Sequence, residues 1–152
     1  MTRSIEQRSV LRVDAVTLWA AVTTEQGINH ELGPWLRMRM PRSVKGLSLE
    51  TVPVGEPLGG AVLFALGFLP CEVDWLTWAE RVPGQSFDEQ SSMIAMRQWR
   101  HQRSLVALSE TETEVIDTVT FTARRTLAWS EPLMRVIVGA LFAHRHRRLR
   151  SI

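Results

Sequence analysis

The last stretch of the chain predicts one long helix, and this feature constrains the fold more than any other. Ser130, Glu131 and Pro132 form a typical helix start, with proline in the first turn. The segment LMRVIVGALFAHRHRRLR then follows the helical period, so we predict a helix over residues 132–150. Apolar side chains cover one broad face of this helix, which indicates that the helix packs against the concave side of a sheet. The members of this face are Leu133, Val136, Ile137, Ala140, Leu141 and His144, widened by Met134, Val138 and Phe142.

Before this helix the chain has the alternation and turn signals of antiparallel strands. Ser4–Val13 predicts a first strand, and Asp14 is then expected to cap a short helix in AVTLWAAV. Thr24–Gly27 is predicted to break that helix, and Ile28–Leu32 to form a second short turn before a Gly-Pro pair. The other predicted strands are residues 35–40, Ala61–Leu69, Glu72–Val82, Ser86–Ser92, Trp99–Leu108 and Val115–Ala123, with a loop over residues 42–60 that holds an extended piece at Leu47–Val52.

The composition is that of one globular domain. The chain has 152 residues, of which 45% are hydrophobic and 22% charged, so we predict a single domain over residues 1–152. No apolar run approaches the ~20 residues of a membrane span. The N-terminal MTRSIEQ lacks the apolar stretch of a secretory signal, so the expected location is the cytoplasm. The one cysteine, Cys71, excludes an internal disulfide framework and is expected to be a packed thiol.

The order of these segments resembles a known superfamily. The segments that carry the resemblance are DAVTLWAAVTTEQGINHELGPWLRMRMP, LGFLP, VPGQSFDEQSSM, WRHQR, DTVTF and LFAHRHRRL. Together they make the chain similar to the SRPBCC superfamily of START-like or Bet v 1-like helix-grip proteins, and within it to the bacterial polyketide cyclase/dehydratase-like branch. The resemblance implies an α+β fold in which about seven antiparallel strands curve around the terminal helix, with two short helices after the first strand. It also implies a cavity for apolar molecules such as lipids, sterols, polyketides or hydrophobic cofactors. Some members are aromatases or cyclases, and many only bind.

Two predicted strands carry polar residues on faces that are otherwise apolar. In WRHQR the period of two directs Trp99, His101 and Arg103 to one face, and in VIDTVTF it directs Asp117 and Phe121 to one face. If these strands are neighbours, His101 and Asp117 can pair inside the cavity, where a histidine oriented by a carboxylate can act as a general acid or base. The alternative is a buried hydrogen-bonded pair that only stiffens the sheet. Both interpretations remain open.

Glu89 is the other polar candidate, and it lies on the strand face that also carries Phe87 and Ser91. We expect it to pair with Arg37, Arg97 or Arg100, since a buried charge needs a partner. Such a pair can be purely structural, or it can anchor the polar group of a ligand.

Large and soft apolar side chains supply the rest of the predicted site. The chain has six tryptophans and no tyrosine, and rigid aromatics suit a hydrophobic pocket as well as a plain core. Trp75 and Trp78 must face opposite sides of their strand, while Met93 and Met96 suit either a cavity lip or core filling. The residues predicted to line the ligand site are Trp19, Arg37, Trp75, Glu89, Met93, Trp99, His101, Asp117, Phe121 and Ile137.

Three functions remain open on the sequence. The leading one is a binder of a small hydrophobic molecule of lipid, polyketide or aromatic type. The second, less favoured, is a cyclase- or dehydratase-like enzyme in which His101 and Asp117 form the acid/base pair and Arg37 or Arg100 stabilises developing negative charge. The third is an interaction module that uses the basic segment His144–Arg150, whose cations otherwise complement the helix dipole.

Several kinds of site are not expected. The chain has no phosphate-cradling glycine loop and no GxSxG motif. His144 and His146 are two residues apart on a helix and so point to different faces, which argues against zinc. We therefore predict no metal and no cofactor. Nucleic acid is not an expected partner, and a homodimer is left open.

Overall fold

The computed structural model describes residues 3–152, and this part of the chain forms seven strands and three α-helices. The strands are β1 (Arg3–Leu11), β2 (Leu36–Arg39), β3 (Pro57–Ala65), β4 (Leu69–Val82), β5 (Ser86–Met93), β6 (Met96–Ala107) and β7 (Thr113–Ala123). The helices are α1 (Ala15–Val22), α2 (Glu25–Leu32) and α3 (Glu131–Leu149), with a 3-10 turn over Arg125–Ser130.

The strands form one antiparallel sheet in the order β1-β7-β6-β5-β4-β3-β2. Strands β2 to β7 lie beside their neighbours in sequence, whereas β1 crosses over to pair with β7, where Ile5 is opposite Val119. Helix α3 packs against β1 and α2. The predicted architecture is therefore confirmed: a curved sheet of seven strands around a long C-terminal helix, with two short helices after the first strand.

Side-chain caps start the two short helices. Asp14 accepts a hydrogen bond from the Thr17 backbone N–H at 2.8 Å, as predicted. The Thr24 hydroxyl accepts from the Gly27 N–H at 3.0 Å, so α2 begins at Glu25 rather than at Ile28. Helix α1 does end before Thr24, as predicted, but Glu25–Gly27 form the first turn of α2 instead of extending the break, because a threonine that supplies an acceptor to the first turn starts a helix.

The turns between β2 and β4 differ from the predicted ones. Leu47–Val52 forms turns and bends instead of an extended piece. The strand predicted over Ala61–Leu69 ends earlier, because Leu66 and Gly67 adopt positive φ angles of 54° and 86° and reverse the chain in a tight turn. Pro70, which was expected to end that strand, lies inside β4.

Helix α3 buries a different face from the predicted one. Leu133, Val136 and Ile137 are between 57% and 68% exposed, so the predicted apolar face was wrong at these positions. Hydropathy ranks them above a histidine, but His146 is buried because it bonds to a buried carboxylate described below. The buried side chains beyond the first turn follow spacings of four, four and three along one face: Val138, Phe142, His146 and Leu149.

The segment Arg125–Leu149 is long and apolar enough by length and composition to cross a membrane, a test that the core helix of a soluble protein also passes. In this fold its helix packs against the sheet, and its buried face includes the ionisable His146 and Glu131. The helix is thus the element that the sheet grips.

The apolar core has two parts. One lies beneath α1 and the loop after β2, where Trp78 and Phe87 stack with their ring centroids 4.5 Å apart. The other lies between β5–β7 and α3 and includes Trp99, Phe121 and Phe142. Side chains of both parts line the cavity described next.

Candidate functional site

A cavity of about 270 Å³ lies between the concave face of the sheet and α3. This volume is slightly below the usual range for small-molecule pockets, ~300–1,000 Å³. Most of its lining is apolar and comes from α3 and from strands β2 to β6. The cavity therefore suits a compact hydrophobic molecule. Representative apolar lining residues are Met38, Leu63, Trp78, Phe87, Trp99 and Phe142.

The exposed members of the lining mark the mouth of the cavity. Ile137 lines it although its side chain is 57% exposed, and Cys71 lines it while also being exposed. The prediction that Cys71 is a packed thiol was wrong, because its strand, β4, begins at Leu69 and carries the cysteine to the rim.

A fully buried arginine organises the polar residues behind the cavity. Arg103 on β6 bonds to both oxygens of Glu31 from α2, with Nη–O distances of 2.7 and 3.0 Å. It also donates from Nε and Nη2 to Asp117 on β7, each at 2.7 Å. All three side chains are at most 1% exposed. Arg145 on α3 adds a 3.1 Å bond to Glu31, so this network ties α2, β6, β7 and α3 together.

His101 and Asp117 form the pair expected from the sequence. Nε2 of His101 lies 2.8 Å from Oδ1 of Asp117, while Nε2 of His146 lies 2.7 Å from Oδ2. With the two bonds from Arg103, these contacts occupy the roughly four acceptor sites of the Asp117 carboxylate. Burial alone would raise the pKa of Asp117, but Arg103 and His101 outweigh it and hold that pKa well below its usual range.

Asp117 therefore orients its neighbours and has no acceptor site left for a ligand. His101, in contrast, lines the cavity, with its ring edge-on to Phe87 and Phe142 at centroid distances of 5.3 and 5.0 Å. Its Nδ1 lies 3.7 Å from Oε2 of Glu89. His101 is thus the member of the pair that can reach a bound molecule.

Asp74 and Glu89 place two carboxyl groups in the cavity wall. Burial, followed by the negative charge of Glu89, raises the pKa of Asp74 well above its usual value. Burial would also raise the pKa of Glu89, but the polar contacts with the neighbouring His101 and Asp74 outweigh it and lower that pKa. Of the two, Asp74 therefore holds a proton more tightly and Glu89 ionises more readily.

Asp74 was not among the predicted site residues, although a signal for it was present. In β4 the buried inner positions are Asp74, Leu76 and Trp78, whereas Trp75 is 45% exposed. Once Trp78 is taken to face inward, the period of two also turns Asp74 inward.

The other predicted lining residues divide into three groups. Glu89, Met93 and Trp99 line the cavity. Trp19 and Phe121 are buried behind the lining, where Trp19 contacts Phe87 and Phe121 contacts Trp99, both at centroid distances of 6.4 Å.

Arg37 and Trp75 are exposed on the outer side of their strands, so their assignment to the cavity was wrong. The arginines expected to pair with Glu89 also lie elsewhere: Arg37 and Arg97 are exposed, and Arg100 bonds to Asp88 at 2.8 Å. Arg37 and Trp75 were assigned to the wrong face of their strands. The residues on either side of them face the cavity instead: Leu36 and Met38 on β2, and Asp74 and Leu76 on β4.

Much of the basic segment His144–Arg150 is used within the domain. His144 bonds to the Gly33 carbonyl at 2.8 Å, and Arg148 donates to the His30 carbonyl at 2.9 Å. Arg145 and His146 belong to the buried network described above. Across residues 3–152, no group of three or more His, Cys, Asp or Glu side chains is arranged to hold a metal ion.

Comparison with known proteins places the chain in a family and defines its fold. The model of the family described as a domain of unknown function, DUF8410, matches residues 9–152. The chain belongs to the DUF8410 family. No curated protein matches this DUF8410 chain.

Solved structures share the fold of this DUF8410 chain over almost its full length. Protein CV1439 from Chromobacterium violaceum has a TM-score of 0.72 at 13% identity, with 98% of this chain and 96% of that one covered. A START superfamily protein from Mycobacterium smegmatis has a TM-score of 0.69 at 10% identity, covering 97% and 94%. The Zhui aromatase/cyclase from Streptomyces sp. R1128 has a TM-score of 0.70 at 10% identity, covering 99% and 93%. These likenesses establish the START-like helix-grip fold expected from the sequence.

Proposed function

We propose that the protein binds a small hydrophobic molecule in the cavity between its sheet and α3. The observation that carries this proposal is the cavity itself, about 270 Å³ in volume and lined mainly by aliphatic, methionine and aromatic side chains. Burying an apolar molecule there removes its surface from water, which is worth about 25 cal/mol per Å². The START superfamily protein and the aromatase/cyclase that share the fold add support.

A cavity-blocking variant tests the proposal. Leu141 lies on the cavity wall, so we expect Leu141→Trp to fill the space and weaken binding of the fluorescent probe N-phenyl-1-naphthylamine at least about tenfold. The matched control is Val136→Trp on the same helix, because Val136 is 68% exposed and lies outside the cavity lining. Equal probe affinity in the two variants, both folded by circular dichroism, contradicts the proposal.

A second candidate is an acid/base enzyme of the cyclase or dehydratase type. The observation that favours it is His101, which is oriented by Asp117 and faces the cavity beside Glu89. A histidine held in this way can transfer a proton to or from a bound substrate. Arg37 and Arg100 take no part, since both lie outside the cavity lining.

Native mass spectrometry separates binding from catalysis. Wild type and His101→Asn are purified without denaturation from the same host, and the retained molecules are compared. The same molecule in both proteins indicates binding alone. A retained molecule that differs between them by the mass of one water indicates that His101 takes part in a dehydration.

A further inference from the structure

The polar part of the cavity has more hydrogen-bond acceptors than donors. The carboxyl groups of Asp74 and Glu89 both line it; an ionised carboxyl oxygen offers about two acceptor sites, and Asp74 when protonated gives one O–H to Glu89. Ser91 has a single hydroxyl proton, which it donates to Glu89 Oε1 across 3.3 Å. Nδ1 of His101 lies 3.7 Å from Glu89 Oε2, beyond hydrogen-bond length. Even with the bond between Asp74 and Glu89 counted, this pair has more acceptor sites than protons that reach them.

Two buried polar atoms on the inner face of β4 lack partners. Within residues 3–152, neither Oδ1 of Asp74 nor Nε1 of Trp78 has a hydrogen-bond partner. Asp74 is 1% and Trp78 2% exposed, and both side chains line the cavity. Leaving such groups unpaired costs about as much as a lost hydrogen bond. The wall therefore favours a guest with a donor for Asp74 Oδ1, and a hydroxyl group can also accept from Trp78 Nε1.

The charges of the wall disfavour an acid as that guest. Glu89 is ionised beside Asp74, and Glu72 adds a third carboxyl group to the lining. Arg145 is the cation that also lines the cavity, but it bonds to Glu31 and its guanidinium lies over the Phe142 ring, 4.9 Å from the centroid. Its charge is therefore already balanced.

We propose that Asp74 and Glu89 form a donor-recognising subsite, so that the natural ligand is a hydrophobic molecule bearing an O–H or N–H group and no free carboxylate. This inference rests on the proposed function, since it requires that the cavity holds a ligand. The hydrocarbon part lies against the aromatic and methionine side chains. The donor group lies against the two carboxyl groups at the β4–β5 pair.

Four bicyclic probes of similar size test the subsite by isothermal titration calorimetry: naphthalene, 2-naphthol, 2-naphthylmethylamine and 2-naphthoate. We expect 2-naphthol or the amine to bind about tenfold more tightly than naphthalene, because a hydrogen bond to a charged group contributes about this much. The stronger of the two shows whether the natural donor is a hydroxyl or an ammonium group. 2-Naphthoate is expected to bind most weakly.

Two variants and one control locate the preference. Asp74→Leu and Glu89→Gln are each expected to reduce the preference for a donor to about twofold or less while naphthalene still binds. Asp88→Asn is the control, because Asp88 precedes Glu89 on β5 and pairs with Arg100, outside the cavity lining. It should leave the preference unchanged.

The outcomes distinguish the two proposals. If neither 2-naphthol nor the amine binds more tightly than naphthalene, or if 2-naphthoate binds most tightly, the subsite is overturned and the hydrophobic cavity stays in place. A donor preference that survives in Asp74→Leu and Glu89→Gln also overturns it. Absence of saturable binding for all four probes overturns both.

Discussion

At the scale of single residues, the polar interior of this domain depends on Arg103. Its guanidinium is the shared partner of Glu31 and Asp117, which come from different elements and are both fully buried. A planar group with five donors can hold two carboxylates at once, which a lysine cannot do with the same geometry. Asp117 is thereby kept ionised beneath His101.

Replacing Arg103 with methionine should destabilise the fold severely. The change leaves the carboxylates of Glu31 and Asp117 buried with too few partners, and breaking a buried pair in this way costs about 3–5 kcal/mol. Urea unfolding followed by circular dichroism measures the loss.

Arg100→Met is the matched control for this change. Arg100 lies on the same strand and has a side chain that is 47% exposed, but its partner Asp88 is only 8% exposed, so its removal should cost less than that of Arg103, which leaves two fully buried carboxylates instead of one. A similar loss in both variants would contradict the special position of Arg103.

At the same scale, the sequence predicted part of the site because strand period determines which way a side chain points. It placed His101 and Asp117 on faces from which they can pair inside the cavity, and it placed Glu89 among the inner polar residues. It missed the joint role of Glu31 and Arg103, because Glu31 comes from α2, and no period within one element tells which helix residue meets which strand.

At the scale of elements, two helical glycines should respond to alanine with opposite signs. A Cβ at Gly27 in α2 would lie 1.8 Å from the Ala21 carbonyl oxygen, so Gly27→Ala must displace backbone. A Cβ at Gly139 in α3 would meet Ile5 at an ordinary 4.0 Å.

We expect Gly27→Ala to destabilise the protein by about 2 kcal/mol or more through overpacking. Gly139→Ala should stabilise it by about 0.5–1 kcal/mol, because alanine is the better helix former. Thermal unfolding of both variants measures the two effects. A stabilised Gly27→Ala protein would show that the contact of α2 with the end of α1 is loose.

Helix α3 illustrates how far element prediction reaches. Its existence and length were predictable from periodicity and from Pro132, and the observed range Glu131–Leu149 agrees with residues 132–150. Its orientation was not predictable, because the buried face includes His146, whose burial depends on its bond to Asp117 of β7. No pattern within α3 alone reveals that partner.

At the scale of the whole molecule, the buried carboxylates make stability depend on pH in the acid range. The pKa values of Asp117 and Glu31 are both lowered in the fold. As the pH falls below their ordinary values of about 4, the unfolded chain takes up protons before the folded one, so the free energy of unfolding decreases. Urea unfolding at a series of pH values should show this loss, and a flat profile from pH 5 to 2 would contradict it.

Asp74 should act in the opposite direction. Its pKa is raised in the fold, so the folded protein holds this proton more tightly than the unfolded chain does. Its contribution to stability is present at low pH and lost as the pH rises through the raised pKa. We expect Asp74→Asn, which cannot ionise, to gain stability relative to wild type as the pH rises above about 4, the ordinary pKa of an aspartate. Asp88→Asn is the control. A stability difference between Asp74→Asn and wild type that does not change with pH would contradict the raised pKa of Asp74.

The pairing of β1 with β7 has a consequence for the order of events during synthesis. Arg3 of β1 lies opposite Phe121 of β7, so the sheet pairs residues from near the two ends of the chain. Contacts between residues so distant in sequence form slowly. Arg145 and His146 are made later still, and until they arrive Glu31 and Asp117 lack part of their partners. A nascent chain released only as far as β7 would therefore remain open, and the interior can close only after α3 has left the ribosome.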